Sequence, residues 1–209
     1  RISSDSRRST DEYVVWLTQL MTLKNINLNK ITGVIVASVV PDIQPRLVAL
    51  AHRGFDLVPL CVDDPDVDLG IGINIDRPEQ AGADRLVNAV AAAVWHNLPA
   101  IIIDFGTATT LDLIGPKGAY EGGIIAPGVN LSIEALHMAA ARLPRIAVKP
   151  WHRDMPVLGT DTISAMQSGV FWGYVGMVEG LLTRLRHSYG ADLPAIVTGG
   201  LAPLFADHI

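Results

Sequence analysis

The segment Asp104–Thr110 has the residue types that most directly suggest chemistry. An acid follows an apolar run, and a glycine and several hydroxyl residues come next. Gly106 permits a phosphate to approach the backbone, and its N–H and the Thr107 hydroxyl are hydrogen-bond donors. Because a carboxylate beside phosphates is unfavourable without a cation between them, Asp104 is a candidate cation ligand. The alternative is an ordinary turn whose Asp and Thr side chains satisfy backbone groups.

A second segment, Gly82–Arg85, opens a predicted helix after a loop rich in Asp and Pro. A carboxylate can accept the proton of an attacking alcohol in phosphoryl transfer, which indicates a base at Asp84. Arg85 can hold a substrate carboxylate through two parallel hydrogen bonds. The alternative is that Asp84 and Arg85 form a surface ion pair in the first helical turn.

Three pairs of small residues mark further places where a ligand or backbone can approach closely. Gly122-Gly123 and Pro127-Gly128 are typical of a bulge or a close approach, although plain turns also explain them. Gly199-Gly200 lies between a predicted strand and a predicted helix, where free N–H groups suit a nucleotide phosphate. A two-glycine turn is also common without any ligand.

A stripe of small residues follows one face of a long predicted helix, at steps of four, four, three and four. Each glycine costs about 1 kcal/mol relative to alanine in a helix interior. The stripe therefore predicts close packing against another helix, either within the subunit or between subunits. Its members are Ala165, Gly169, Gly173, Gly176 and Gly180.

Predicted strands and helices alternate, and one predicted hairpin interrupts the alternation at the turn Gly115–Gly118. This order favours an α/β fold with a mixed sheet. The predicted strands are Gly33–Val40, Phe55–Val62, Ala100–Asp104, Thr109–Ile114, Ala119–Ala126 and Ala195–Thr198. The predicted helices are one with a capping box at Ser9 and Glu12, then Ile43–His52, Ala83–His96, Asn130–Arg142 and Asp161–Tyr189.

Composition excludes several classes of protein. The chain has 209 residues and a net charge of −5 without any stretch dense in Lys and Arg, which argues against nucleic acid or an anionic membrane as the main partner. No apolar run approaches the ~20 residues that span a bilayer, and no signal-peptide segment opens the sequence. The six histidines lack metal-ligand spacing. The single cysteine, Cys61, indicates a reducing compartment, and we expect a cytoplasmic protein.

Together these segments resemble type III pantothenate kinases, the family that also includes the Bvg accessory factors. The resemblance runs through GADRLVNAVAA, IDFGTATTLDLI, GAYEGGIIAPGVNLSIEALHMAAARLP, DTISAMQSGVFWGYVGMVEGL and VTGGLAPLF. It implies the two-lobed fold of the acetate and sugar kinase, heat-shock-cognate and actin superfamily, with lobes at residues 1–98 and 99–209. It further implies a homodimer, ATP, magnesium and a monovalent cation, potassium or ammonium.

The implied reaction is ATP-dependent phosphorylation of pantothenate to 4'-phosphopantothenate, the first step of coenzyme A synthesis. The alternative is a non-catalytic nucleotide-binding accessory factor of the same family. By resemblance Asp84 is the catalytic base and Asp104 the monovalent-cation ligand. The implied pantothenate-binding residues are Gly82, Ala83, Asp84, Arg85 and Thr162. The expected ATP-binding residues are Gly106 and Thr107, with Gly199 and Gly200 assigned from their place between strand and helix.

Three departures from the family pattern stand out. Members of the family start with a strand and a DxGNT phosphate loop, which nothing before Arg1 supplies, and they continue beyond the position of Ile209. Many have an aromatic substrate-contacting residue where this chain has Ile75. Without those opening strands, the strand Val34–Val40 would have an unpaired edge. We therefore expect the sequence to be a piece of a longer chain, and whether this piece is active on its own is left open.

Overall fold

A computed structural model describes residues 7–140, 142–152, 154–190 and 192–209. The chain forms two compact units. The first comprises the residues up to Ile71 together with Asp76–Val90, and the second comprises Gly72–Ile75 and Ala91–Ile209. The lobe boundary expected between residues 98 and 99 stays a prediction.

Two packed helices and a small parallel sheet make up most of the first unit. The predicted capping box is confirmed, because Ser9 N donates to Glu12 Oε2 at 2.7 Å and Glu12 N donates to Ser9 Oγ at 3.3 Å. Tyr13 and Met21 are the buried residues of the helix that this box begins. The elements are α1 (Thr10–Leu23), β1 (Ile35–Val36), α2 (Gln44–Phe55), β2 (Leu60–Cys61) and α3 (Ala83–Trp95), whose first residues belong to this unit.

The two strands of the first unit are much shorter than the sequence predicts. The β-branched run Gly33–Val40 forms only the two-residue β1, and Phe55 belongs to α2 rather than to a strand. Asp56 takes a left-handed conformation with φ 55° and ends the helix. Within the described residues β1 pairs only with β2, at the register Ile35↔Leu60. The pairing of β1 with β2 covers only two residues of each strand. The residues on either side of β1 have a high β-strand propensity, but without a pairing partner they do not form a strand.

A four-stranded mixed sheet is the centre of the second unit, as the sequence predicts. The order is β5-β4-β3-β6, with β3 antiparallel to β4 and parallel to β6. The predicted turn between β4 and β5 is confirmed, because Gly118 N donates to Gly115 O at 3.0 Å. The strands are β3 (Ala100–Phe105), β4 (Ala108–Ile114), β5 (Tyr120–Pro127) and β6 (Ala195–Thr198).

Three helices follow in the second unit, and the main core lies between them and one face of the sheet. Phe205 stacks on Phe105 from β3 at 4.7 Å and on Phe171 from the longest helix at 5.2 Å between ring centroids. The opposite face of the sheet carries polar residues toward the end of β3. The helices are α4 (Val129–Ala139), α5 (Thr162–Tyr189) and α6 (Ala202–Phe205). None of the helices in the described ranges combines the length and apolarity needed to cross a bilayer.

The long helix α5 has strong signals at both ends. The Asp161 carboxylate accepts from Ile163 N at 2.9 Å and from Ser164 N at 3.1 Å, and Gly190 ends the helix with φ 74°. Hydrogen bonds to the Asp161 carboxylate, first from the Ser164 side chain and then from its backbone, lower the pKa of Asp161. The cap therefore favours the ionised carboxylate.

We expect Asp161→Ala to lower the melting temperature at neutral pH, because two N–H groups of the first turn lose their acceptor. The folded-state pKa is depressed, so this stabilisation is present above the unfolded pKa and is lost as pH falls through the folded pKa. Thermal unfolding between pH 7 and pH 3 should therefore show the difference from wild type shrink with acidity. Asp161→Asn, which caps without charge, should keep most of the neutral-pH stability. A difference independent of pH would contradict the role of the ionised carboxylate.

Candidate active site

Asp104 lies near the end of β3, in the middle of a row of polar side chains across three strands. It pairs directly with Thr110 on β4 and with Thr198 on β6. Residues directly opposite each other in a sheet point to the same face, with Cβ atoms about 4.5–5.5 Å apart in antiparallel pairs. The hydroxyls of two threonines thus flank the carboxylate. These oxygens are the ligand type that hard cations prefer.

The turn after Asp104 is held by close backbone contacts at two glycines. A Cβ at Gly128, just before α4, would collide with the Thr107 carbonyl. A Cβ at Gly199, after β6, would lie 2.5 Å from both Asp104 Oδ1 and Phe105 N. Gly106 and Thr107 themselves are exposed, and Gly106 N donates to Ala108 O at 3.0 Å. The predicted ATP-binding residues Gly106, Thr107 and Gly199 are therefore brought together around the end of β3.

The segment Gly199-Gly200 leads into a helix that is much shorter than a typical phosphate-binding helix. Gly199 has φ 99°, which favours glycine, and α6 comprises only Ala202–Phe205. The predicted helix after Gly200 is present as a single turn, and Ala202 N already donates to Gly199 O at 3.2 Å. The assignment of Gly199 and Gly200 to ATP binding stays a prediction. The support for a nucleotide role of this segment is its closeness to Asp104.

The segment Gly82–Arg85 belongs to the first unit and places Asp84 in the first turn of α3. Ala83 is buried, whereas Asp84 is exposed. Asp84 Oδ1 accepts from the backbone N–H of Arg85 at 2.8 Å, and a Cβ at Gly82 would lie 2.7 Å from the same oxygen. Glycine at position 82 thus leaves room for the carboxylate.

Thr162 lies in a groove of about 800 Å³ in the second unit. The groove runs between α4 and α5, and most of its lining is apolar. Its polar groups include Ser132 and Tyr174, whose hydroxyl oxygens are 2.6 Å apart, and Tyr174 donates to Pro127 O at 2.9 Å. The remaining lining residues are Leu136, Leu143, Ala165, Met166, Gly169, Val170, Gly173 and Met177. The small-residue stripe and the predicted pantothenate threonine therefore share one side of α5.

The glycine stripe of α5 is open along most of its length. In the described ranges, no atom beyond the helix's own neighbouring backbone lies within 4 Å of a Cβ built at Gly169, Gly173 or Gly176. At Gly180 the nearest such atom is Arg184 Nη1, at 3.2 Å. The sequence leaves open whether the stripe packs against a helix of the same subunit or of another subunit. Packing within the subunit is not found in the described ranges.

The donor set around Asp104 is poor in strong metal ligands. The described residues contain no group of three His, Cys, Asp or Glu side chains that could hold a metal ion. A cation at Asp104 would be held by one carboxylate, neutral oxygens and a ligand's own oxygens. That set fits a weakly held monovalent ion, or a magnesium ion that arrives with nucleotide phosphates.

Comparison with known proteins covers all of these segments. A sequence model of the family described as type III pantothenate kinase matches residues 1–184. A type III pantothenate kinase from Paramagnetospirillum magneticum is 55% identical over 207 residues, covering 99% of this chain and 78% of the relative. One from Rhodospirillum rubrum is 54% identical, covering 99% of this chain and 79% of the relative. The chain belongs to the type III pantothenate kinase family.

A solved structure supports the fold of this type III pantothenate kinase family member. It is a conserved Baf family protein from Campylobacter jejuni, described as a transcriptional activator. It matches with a TM-score of 0.57 at 18% identity, covering 92% of this chain and 77% of the other. The predicted mixed α/β fold with flanking helices is confirmed, and at this identity the likeness extends to the fold alone.

Several residues of the site in this family member were not found by sequence reasoning. Asp112 is fully buried within β4 and accepts hydrogen bonds from Tyr120 and Thr110. Ser132 and Tyr174, which form the polar part of the groove, are also new. The available signal for Asp112 was an acid at an alternate position of an apolar strand. Ile75, which stands where the family resemblance predicts an aromatic residue, lies with its Cγ2 atom 3.5 Å from a Cβ built at Gly122.

Proposed function

We propose that this chain catalyses the ATP-dependent phosphorylation of pantothenate to 4'-phosphopantothenate, the first step of coenzyme A synthesis. The observation that carries the proposal is the identity of about half the residues with pantothenate kinases along 99% of the chain. Asp84, Arg85, Asp104 and Thr107 are all present. The alternative of a non-catalytic accessory factor is not favoured, because an accessory factor does not need to retain these residues.

Asp84 is the proposed general base. Because the Arg85 N–H holds Oδ1 at 2.8 Å, the carboxylate has a fixed orientation and Oδ2 accepts the proton of the pantothenate hydroxyl. The exposure of Asp84 gives the hydroxyl access. Gly82, Ala83 and Arg85 complete the proposed substrate segment, and the guanidinium of Arg85 supplies the charge that a pantothenate carboxylate requires.

Asp104 is the proposed ligand of a monovalent cation, potassium or ammonium, and magnesium is proposed to accompany ATP. When bound, these cations neutralise negative charge that develops on the transferred phosphoryl group. The chain's own contribution is positional. Thr107 is proposed to donate to phosphate oxygens from a turn that Gly128 and Gly199 hold in place, and Gly106, whose N–H already donates to Ala108 O, leaves room for the phosphate to approach the backbone. Gly200 is included in the proposed ATP-binding segment because it follows Gly199.

We further propose a homodimer whose interface includes the open stripe of α5, with Thr162 and the groove at or near the boundary. Four glycines on one helical face cost about 4 kcal/mol in helix propensity. A close approach of a second helix offsets that cost, and none is found within the described chain. We place the protein in the cytoplasm, where ATP is abundant and where Cys61 stays reduced.

Asp84→Asn in the full-length protein should lower kcat about 100-fold or more while ATP binding survives, because the amide cannot accept the hydroxyl proton. Steady-state kinetics with pantothenate and calorimetry with an ATP analogue measure the two effects. Asp76→Asn, an exposed change in the same unit, is the matched control. Near-normal turnover of Asp84→Asn would reject Asp84 as the base.

Turnover of the wild type should depend on potassium or ammonium. Asp104→Ala should abolish that dependence. It should also weaken ATP binding about tenfold, because a charge contact of about 1.4 kcal/mol is lost. Titration of ATP in potassium and in tetramethylammonium at equal ionic strength tests both statements. Asp207→Ala, exposed in the same unit, should behave as wild type. Equal affinity in both salts for the wild type would remove the cation from the proposal.

Gly173→Leu should weaken dimerisation and pantothenate affinity together, because a bulky side chain enters the proposed helix contact. Overpacking typically costs ~1–3 kcal/mol, or about 5- to 150-fold in the dimer dissociation constant. Sedimentation and pantothenate titration provide the measurement, with the exposed Ser188→Leu near the end of α5 as the control. A folded, dimeric Gly173→Leu protein with unchanged affinity shows that the stripe is not the interface.

A further inference from the structure

A buried carboxylate in β4 lies next to the proposed cation site. Asp112 is 0% exposed, and it follows Thr110 on the same face of the strand, while Leu111 between them packs in the core on the opposite face. Tyr120, 1% exposed at the start of β5, reaches the same carboxylate. The mechanism proposed above gives Asp112 no task. An acid in such a place is unfavourable unless it is hydrogen-bonded.

The hydrogen bonds of Asp112 decide where the protons of two hydroxyls point. Tyr120 Oη donates to Asp112 Oδ1 at 3.0 Å, and Thr110 Oγ1 donates to Asp112 Oδ2 at 3.1 Å. Each hydroxyl has one proton, and in both cases that proton is given to an oxygen of Asp112. The Thr110 proton is therefore committed to Asp112, and the oxygen lone pairs of Thr110 are left to accept elsewhere.

The place of Thr110 in the sheet shows where those lone pairs are available. Thr110 is 8% exposed and stands directly opposite Asp104 across the β3–β4 ladder, on the same face. Directly opposite antiparallel residues have Cβ atoms about 4.5–5.5 Å apart, which is close enough for both side chains to contact one ion. A hydroxyl with its proton turned away is a neutral oxygen ligand, whereas one with its proton turned inward repels a cation.

We propose that Asp112 is a positioning residue for the cation site: it holds the Thr110 hydroxyl as an acceptor beside Asp104, so that Thr110 becomes a second oxygen ligand of the monovalent cation. The inference rests on the proposed cation-dependent kinase function and assigns new roles to two residues of it. Asp112 acts through Thr110 and has no contact of its own with the ion. A merely structural Asp112 would stabilise the hairpin without affecting the choice of cation.

The substitutions separate these two roles. Thr110→Val removes the oxygen at nearly constant shape, and Thr110→Ser restores it. Asp112→Asn keeps the size but has one acceptor oxygen for two hydroxyl donors, so its N–H₂ group competes for a lone pair of Thr110 and the fixed direction of the Thr110 proton is lost. Tyr120→Phe removes the Tyr120 hydrogen bond to Asp112 and leaves the Thr110 hydrogen bond in place, so it is the matched control for damage to the buried network.

The experiment measures the ADP dissociation constant of the full-length protein by calorimetry, in potassium and in tetramethylammonium at equal ionic strength. Melting temperature in both salts is the second measurement. Potassium should raise the affinity for ADP, and we expect this gain to be about 10-fold smaller in Thr110→Val and Asp112→Asn than in the wild type. An effect of this size is usual when a residue that orients a metal ligand is disturbed. Thr110→Ser and Tyr120→Phe should keep that gain even where their melting temperatures fall.

The outcomes distinguish failure of this inference from failure of the proposed function. If Asp104→Ala loses the potassium gain while Thr110→Val keeps it, the cation site stands and the inference is wrong. If Tyr120→Phe loses as much of the gain as Asp112→Asn, Asp112 acts through the network as a whole and the positioning role is overturned. If Asp104→Ala retains the full gain, the proposed cation site itself fails and the inference with it. Should Asp112→Asn not fold, Asp112→Ala takes its place, because the Thr110 pair tests the oxygen ligand and not its orientation by Asp112.

Discussion

Close backbone contact around the β3–β4 turn is the constraint on which the second unit depends. The turn has Gly128 on one side and Gly199 on the other, and a Cβ at either position would meet backbone or carboxylate atoms. Leu201 N donates to Phe105 O at 3.3 Å on the Gly199 side. Helix α4 and the end of β6 are thereby fixed relative to Asp104. These backbone contacts, rather than contacts between long side chains, fix the positions of the polar row formed by Thr110, Asp104 and Thr198.

The same sheet separates two environments by the alternation of its strands. One face packs Phe105 and Leu111 against α5, with Phe171 and Phe205 in the aromatic core. The other face carries Asp104, Thr110 and Asp112, whereas the Thr109 hydroxyl lies on the face of Phe105. Burial of the apolar face stabilises the sheet by roughly 1.5–3 kcal/mol for each large side chain. That stabilisation offsets the cost of burying the carboxyl group of Asp112 where water does not reach it.

Local sequence signals were sufficient for some features and insufficient for others. The capping box at Ser9, the hairpin turn ending at Gly118 and the acid at the end of β3 depend on neighbours in the sequence, and the structure bears out their geometry. The lengths of β1 and β2 depend on pairing between distant segments, so propensity overestimates them. The contact between Ser132 and Tyr174 joins residues 42 positions apart, and no spacing rule could have indicated it. The buried state of Asp112 likewise depends on Tyr120 arriving from the next strand.

The alternation of β4 has a consequence for how the sheet can pair. A slip of one residue along β4 would exchange its two faces, which moves Asp112 into the aromatic core and Leu111 into the polar row. Placing a carboxyl group in the aromatic core is unfavourable, and so is placing a leucine in the polar row. The misaligned sheet is therefore destabilised by two effects at once. The one irregularity of the β4–β5 ladder falls between Leu113 and Ile114, beyond Asp112, where it leaves the pairing of the site residues intact. The polar residues proposed for the site thus also favour the correct register of the hairpin.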